Sequence, residues 1–297
     1  MRLSTNTGVY SGRPGKLPRY DMIEETIDRI ADAGFEVADV NFCATIYGVW
    51  ETKKSHEPIL DGTPEERHER IARLAAKCAE RGIVPNTTHI PFFRYDTELE
   101  HLDGYMDYVY RALDASAQLG AKWAVMHLSR AENCVENTVE FARPLCRYAT
   151  ERGVGIAIEN MAQVDPQNLC AAIDALAAEG YLVGACFDVG HSHLHGEDPA
   201  ATVRLLGSRI QVLHVHDNSA ERDNHDLPYT GKINWDAFLA ALAEVGYEGD
   251  FNYELNATRL PDDPGVRAAY LAYSAALARY FVSRFEAEKE KLRAQNA

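Results

Sequence analysis

Short apolar runs rich in β-branched residues alternate along the chain with longer segments of helical periodicity. Eight of these runs are predicted strands: Leu3 to Asn6, Val37 to Phe42, Val84 to His89, Trp123 to His127, Gly155 to Glu159, Val183 to Asp188, Ile210 to His214 and Phe251 to Glu254. Several of the helical segments end in a glycine suited to a left-handed cap: Gly34, Gly82, Gly120, Gly153, Gly180 and Gly246. This alternation predicts an α/β protein with a parallel sheet.

Eight strand and helix pairs over about 250 residues are typical of a (β/α)8 TIM barrel. No linker rich in Pro, Gly or Ser divides the chain, so residues 1–297 are predicted to form a single TIM-barrel domain. The alternative is a doubly wound open sheet, but the segment from Thr7 to Arg13 lacks the GxGxxG loop usual after its first strand. The charged residues beyond Tyr280 are expected to form a solvated C-terminal helical extension, with packing on a partner chain as the alternative.

The amino-acid composition limits the kinds of molecule that the chain is expected to bind. With 46% apolar residues the chain can build a large core, while 30 Lys and Arg against 45 Asp and Glu give a net charge of -15. This charge disfavours nucleic acid and anionic membranes as partners, because no cluster of Lys or Arg is visible. The six cysteines form no CxxC pair, and no secretory signal or apolar run of about 20 residues is present. We therefore expect a cytoplasmic protein with free thiols.

Potential metal ligands stand at the ends of six successive predicted strands, from the third to the eighth. Each of them alone is more often a solvated or hydrogen-bonded residue than a ligand. In a barrel, however, the carboxyl ends of all strands meet at one mouth, where crowded carboxylates would repel each other without a cation. The sequence therefore predicts a metal site formed from this set: His89, His127, Glu159, Asp188, His214 and Glu254.

The pattern of these residues resembles the xylose isomerase-like TIM barrel superfamily, over nearly the whole chain. The motifs that carry the resemblance are Glu159, the segments Asp188-Val189-Gly190-His191 and His214-Val215-His216-Asp217, the segment from Asp223 to Gly231, and Glu254. The superfamily includes sugar isomerases and epimerases, inosose-processing enzymes and abasic-site nucleases of the endonuclease IV type. These motifs identify the superfamily but choose poorly among its members.

The resemblance implies one divalent metal held by Glu159, Asp188, His214 and Glu254. Three carboxylates and one imidazole favour Mn2+, Mg2+ or Co2+ and are also compatible with Zn2+. The resemblance further implies that Glu159 and Glu254 flank the reacting carbon as catalytic acid and base. Removal of a proton next to a carbonyl requires stabilisation of the enediolate oxygen, which the metal would supply.

Several histidines keep alternative roles at this point. His191 would contact a substrate hydroxyl or, equally well, orient Asp188. His214 and His216 share one face of their strand, and the HxxD spacing of the superfamily favours His214 as the ligand. His193 and His195 are expected to be solvated loop residues.

The resemblance also permits a nuclease. In the endonuclease IV branch, positions that match His89, His127, His191, Asp223 and His225 help to bind additional metals, and such a cluster activates water against a phosphodiester. The net charge of -15 opposes this alternative, because duplex binding depends on basic residues.

Loops after the first two strands place Arg13 and Trp50 near the predicted mouth, where Trp50 could stack on a sugar or simply pack. Substrate contacts are also assigned to His89, His191 and Arg222, although no glycine-rich phosphate cradle is present. We therefore expect a metal-dependent isomerase or epimerase of a small polyhydroxylated substrate such as a ketose, an inosose or a keto sugar. An abasic-site nuclease and a non-catalytic sugar-binding barrel are the alternatives, and a homo-oligomer is compatible with the chain.

Overall fold

The computed structural model describes residues 1–11, 22–43, 59–96 and 100–295, so the predicted loop residues Arg13 and Trp50 lie outside the described part of the chain. Six of the eight predicted strands have the predicted bounds, and the other two each end one residue earlier. The strands are β1 (Leu3–Asn6), β2 (Val37–Asn41), β3 (Val84–His89), β4 (Trp123–His127), β5 (Gly155–Glu159), β6 (Val183–Asp188), β7 (Ile210–His214) and β8 (Phe251–Tyr253).

The strands form one parallel sheet in the order β7-β6-β5-β4-β3-β2-β1-β8. A parallel bridge between Val215 and Tyr253 joins the two outer strands. In this bridge the Val215 amide donates to the Asn252 carbonyl at 2.9 Å, and the Glu254 amide donates to the Val215 carbonyl at 3.2 Å. The sheet therefore closes on itself, and the predicted TIM barrel is confirmed.

Helices connect the strands and cover the outside of the barrel. They are α1 (Gly8–Ser11), α2 (Ile23–Ala33), α3 (Pro64–Arg81), α4 (Leu102–Leu119), α5 (Cys134–Thr150), α6 (Pro166–Ala178), α7 (Val189–His195), α8 (Pro199–Leu206), α9 (Trp235–Glu244) and α10 (Pro264–Gln295). Gly34, Gly82 and Gly120 end α2, α3 and α4 in the left-handed conformation, as the sequence predicts. None of the described helices combines the length and the apolarity that a membrane span requires.

The described residues form two apolar clusters. The larger cluster lies between the sheet and the helices, and includes Ile156, Ile158, Phe187 and Leu213 from the strands. A smaller cluster lies inside the barrel and is formed by Trp123, Val125, Ala157, Cys186 and Val212. Side chains of successive strand residues point to opposite faces, so one face of each strand packs on the helices and the other fills the barrel.

Candidate metal centre at the carboxyl ends of the strands

The alternation along the strands explains why the candidate ligands meet. His127 lies two residues after Val125, Glu159 two after Ala157, Asp188 two after Cys186, and His214 two after Val212. Each polar residue therefore shares the inward face of an apolar residue below it and forms the next layer up. The apolar layer is the floor of the site.

Four of the predicted ligands converge on one point. Ligand atoms of Glu159, Asp188, His214 and Glu254 all lie within 4.8 Å of one another. The Nδ1 atom of His214 is 3.3 Å from Glu159 Oε1 and 3.3 Å from Glu254 Oε2. Asp188, at the end of β6, is fully buried beside them.

The atoms that face this point have unused hydrogen-bonding capacity. His214 Nδ1, Glu159 Oε1 and Glu254 Oε2 are buried and have no hydrogen-bond partner. Unpartnered buried polar atoms are rare and costly, so a cluster of three requires an explanation. Ligand atoms that share a tetrahedral ion at about 2.1 Å are separated by roughly 3.4 Å, close to the separations found here. The donor set and its spacing therefore fit a divalent metal.

The electrostatics of the site match this fit. Burial raises the pKa of Glu159, but the rings of His214 and His127 outweigh it and hold the pKa well below its usual value. Burial likewise raises the pKa of Glu254, and His214 and His225 more than reverse this effect. Both glutamates are therefore ionised at neutral pH and available as metal ligands.

Three further histidines share one hydrogen-bonding arrangement, which fixes the orientation of each ring. The Nδ1 atom of His89 donates to the Ile90 carbonyl, that of His191 to the Asn160 carbonyl and that of His225 to the Glu254 carbonyl, each at 2.9 Å. This arrangement leaves Nε2 of each ring facing a carboxylate at 3.2 Å: Glu159 for His89, and Asp223 for His191 and His225. When one ring nitrogen of a histidine donates to a carbonyl, the ring is oriented so that its second nitrogen can bind a metal.

Among the described residues, two smaller groups of donors flank the four-residue group, and a third, formed by Glu159, Cys186 and His214, overlaps it. In the first group, His89 and His127 each approach Glu159 Oε2 at 3.2 Å, on the opposite side of the carboxylate from His214. In the second group, Asp223 and His225 lie with His216 at the edge of the mouth. The residues that the sequence assigned to additional metals are thus placed around the four-residue group.

The structure distinguishes His214 from His216 by their partners. His214 faces Glu159 and Glu254, whereas His216 Nε2 is 3.0 Å from Asp188 Oδ2 and its ring stacks on His225. Gly190 permits this position of His216, because a Cβ atom at residue 190 would lie 1.9 Å from His216 Cε1. Both histidines contact carboxylates of the four-residue group. The member of that group is His214, and His216 belongs to a separate group with Asp223 and His225.

Asp39 was missed by the sequence analysis. Its carboxylate is buried inside the barrel at β2, and Oδ2 accepts hydrogen bonds from His214 Nε2 at 3.2 Å and Asn252 Nδ2 at 3.1 Å. Asp39 therefore orients the His214 ring so that Nδ1 faces the two glutamates. The available signal was an acidic residue in the middle of an otherwise apolar strand, Val37-Ala38-Asp39-Val40.

The loop prediction for His193 and His195 is wrong. Both lie in the short helix α7, where His193 Nδ1 bonds to Asn218 Oδ1 at 2.8 Å and His195 Nδ1 to the Ala162 carbonyl at 2.7 Å. Asp188 caps this helix by accepting the His191 amide at 2.6 Å. Arg222 lies exposed in the loop after β7, next in sequence to Asp223.

The sequence of this chain matches one family model and is similar to several curated proteins. Residues 21–274 match the family model of xylose isomerase-like TIM barrels. The protein y4fM of Sinorhizobium fredii is 30% identical over 154 residues, which cover 48% of this chain and 50% of that protein. Fructoselysine 3-epimerase of Escherichia coli O157:H7 is 22% identical over 184 residues, 59% of this chain and 67% of that enzyme. The chain thus spans about half the length of the first of these relatives.

Solved structures with the same fold match nearly the whole chain. An L-ribulose 3-epimerase superposes with a TM-score of 0.74 at 16% identity, covering 100% of this chain and 98% of the other. A D-tagatose 3-epimerase-like protein has a TM-score of 0.71 at 18% identity, covering 98% and 100%. The IolI protein, whose structure has a zinc atom bound, also has a TM-score of 0.71 at 18% identity, covering 96% and 99%. At these identities the likeness shows the fold, and with the family match it establishes that the chain belongs to the xylose isomerase-like TIM barrel family.

Proposed function

We propose that the chain is a divalent-metal-dependent isomerase or epimerase that acts on a small polyhydroxylated carbonyl compound. The observation that carries this proposal is the pair of glutamates, Glu159 from β5 and Glu254 from β8, whose unpartnered oxygens both lie 3.3 Å from His214 Nδ1. Two carboxylates that reach one point from different strands are suited to serve opposite faces of one carbon atom.

The proton transfers are assigned to these two side chains. In an epimerisation one glutamate removes the proton from the carbon next to the carbonyl, and the other returns a proton to the opposite face. Glu159, Asp188, His214 and Glu254 would hold the metal, which would supply stabilisation of negative charge on the substrate oxygen. The buried floor formed by Cys186 and Val212 excludes water from below.

The other residues are proposed to bind and orient the substrate. His191 and His89 line the same group and are held by main-chain carbonyls, so their Nε2 atoms can reach substrate hydroxyls. Arg222 and Trp50 remain proposed contacts of the outer mouth. Relatives described as epimerases of fructoselysine and L-ribulose support a keto sugar as the substrate class.

The choice of metal follows from the donor set. Three carboxylates with one imidazole favour Mn2+, Mg2+ or Co2+, while the zinc atom in the related IolI structure supports Zn2+ as an alternative. One ion per chain suffices for the proposed reaction.

The test uses solvent deuterium. The purified protein is incubated in D2O with fructoselysine, D-tagatose, L-ribulose, D-allulose and an inosose, before and after chelation and after return of each metal. We expect deuterium at the carbon next to the carbonyl of at least one compound, loss of exchange with the chelator and recovery with Mn2+ or Co2+. Exchange that survives complete metal removal would contradict the proposal.

One observation favours a second candidate, a phosphodiesterase of the abasic-site nuclease type. The donors of His89 and His127 on one side, and of Asp223 and His225 on the other, could hold further ions beside the first. Metal content measured by elemental analysis separates the two candidates: one ion per chain supports the isomerase, whereas three zinc ions with incision of an abasic duplex at physiological salt support the nuclease. The net charge of -15 weighs against the nuclease.

A further inference from the structure

Asn160 follows the proposed ligand Glu159 directly, at the point where β5 ends, and is only 4% exposed. The pairing of β5 with β6 ends at Glu159 and Cys186, two residues before Asp188. Asp188 is fully buried, so its main-chain N–H and C=O groups need hydrogen-bond partners that the pairing of these two strands does not provide.

The side-chain amide of Asn160 supplies both partners. Its Oδ1 accepts the Asp188 N–H at 2.7 Å, and its Nδ2 donates to the Asp188 carbonyl at 2.9 Å. A planar group that offers one acceptor and one donor resembles a main-chain peptide, so the amide continues the strand pairing where the ladder has ended. The two main-chain partners also fix which end of the amide is oxygen, because an N–H needs an acceptor and a carbonyl needs a donor.

The main chain of Asn160 holds a second residue of the site. Its carbonyl accepts Nδ1 of His191 at 2.9 Å, and the His191 N–H donates to Asp188 Oδ1 at 2.6 Å. Asn160 is thus bonded to Asp188 through its side chain and to His191 through its main chain, while those two residues are bonded to each other. A displacement of Asn160 would therefore move both of them.

This closed set of hydrogen bonds determines where the Asp188 carboxylate lies. Both bonds from the Asn160 amide go to the main chain of Asp188, so they orient the residue without using a carboxylate oxygen that a metal would take. We propose that Asn160 is a positioning residue of the metal centre, because it fixes the backbone from which Asp188 reaches the other three proposed ligands. This role rests on the metal centre proposed above.

The first test compares the metal affinities of two neutral variants of the full chain. Asn160→Ser removes both bonds to Asp188 without adding a charge. Asn86→Ser is the matched control, because it removes an amide hydrogen bond to Asp250 at the amino ends of the strands. By competition with a chelating dye, we expect Asn160→Ser to bind Mn2+ and Co2+ about 10- to 100-fold more weakly than the wild-type chain and Asn86→Ser to bind them equally well.

The absorption spectrum of bound Co2+ separates positioning from a general loss of stability. The spectrum reports the geometry of the ligands around the ion, so it should change in Asn160→Ser and stay the same in Asn86→Ser. A fold that is merely less stable would keep the spectrum of the wild-type chain in the fraction that binds metal.

Hydrogen exchange in the wild-type chain gives an independent test, which decides the question even where Asn160→Ser does not fold. Coupling between two events is reciprocal, so a bond that favours metal binding must itself be strengthened by bound metal. We expect Zn2+ or Co2+ to slow exchange of the Asn160 Nδ2 hydrogens by about 10-fold or more and to leave those of Asn86 unchanged, as followed by NMR with Zn2+.

The outcomes distinguish this role from the proposed function. Equal metal affinities of Asn160→Ser and the wild-type chain, equal losses in the two variants, or exchange at Asn160 that bound metal does not slow would each overturn the role of Asn160 alone. A wild-type chain that binds no divalent metal would overturn the metal centre and this role together.

Discussion

The two ends of strand β8 each carry a carboxylate, and the two are partnered differently. At the amino end, both oxygens of Asp250 are bonded: Arg2 Nε donates to Oδ1 at 2.8 Å, and Arg2 Nη2 and Asn86 Nδ2 donate to Oδ2 at 2.9 and 2.7 Å. At the carboxyl end, Glu254 Oε2 is buried without a hydrogen bond. Asp250 borders an open depression of about 590 Å³, so an open cavity by itself does not identify a site.

The difference shows how a structural polar cluster can be told from a functional one. The cluster at Asp250 is complete, because every charge has an opposite charge or a donor beside it. The cluster at Glu254 brings together carboxylates and imidazoles whose facing atoms lie within ion-pair distance of one another but make no hydrogen bond, so it gains from a cation. Three experiments test this contrast, in order of decreasing expected effect.

The largest difference should appear when the carboxylates at the two ends of β8 are each replaced by the neutral amide. Glu254→Gln, and likewise Glu159→Gln, should lower the rate of deuterium exchange by about 1,000-fold or more, since each removes a proton-transferring group and a ligand together. Asp250→Asn should leave exchange unchanged and cost about 1 kcal/mol of unfolding free energy, because the Arg2 pair is partly exposed. Equal loss of exchange in Glu254→Gln and Asp250→Asn would remove the distinction between the two ends.

An intermediate effect is expected at Asp39. Asp39→Asn keeps the shape of the side chain but removes the charge behind His214, which should weaken metal binding by about 10- to 100-fold. Metal affinity is measured by competition with a chelating dye, so the result does not depend on turnover. The same substitution at Asp250 is the control, and equal affinities of the two variants would show that Asp39 has only a structural role.

The smallest effect is a pH dependence of the metal-free protein. Burial lowers the pKa of His191 and His225, but Asp188 and Asp223 around His191, and Glu254 and Asp223 around His225, raise each pKa to about 10, from 6.5 when unfolded. Between these values the folded state binds more protons, so this contribution is complete below pH 6.5 and is lost as the pH rises to about 10. The melting temperature should therefore fall across this range.

Two controls sharpen this measurement. Asp223→Asn should flatten the pH dependence, because it removes the carboxylate that both rings share. A saturating metal should also flatten it at the rings that bind the ion, because bound metal replaces the protons. A melting temperature that rises between pH 6.5 and 10 in the metal-free protein would contradict the assignment of charge to these rings.

Much of this molecule could be predicted from local pattern. The apolar runs located the eight strands to within one residue, and the glycines at positions 34, 82 and 120 located helix ends, because both signals depend on neighbours in the chain. The two-residue alternation of a strand accounts for the inward direction of Glu159, Asp188 and His214, each of which lies two positions after a residue of the barrel interior. These residues of the family motifs lie in one layer, at the carboxyl ends of the strands.

Only the tertiary structure decided which atoms meet. Asp39 and His214 are 175 positions apart, and their hydrogen bond exists because closure of the barrel places β2 across from β7. In the same way the unpartnered oxygens of Glu159 and Glu254 face one point. Sequence determines which face a side chain takes on its own strand, because that depends on backbone geometry alone. Its partners depend on the closed sheet, where distances between residues far apart in the chain are fixed by packing.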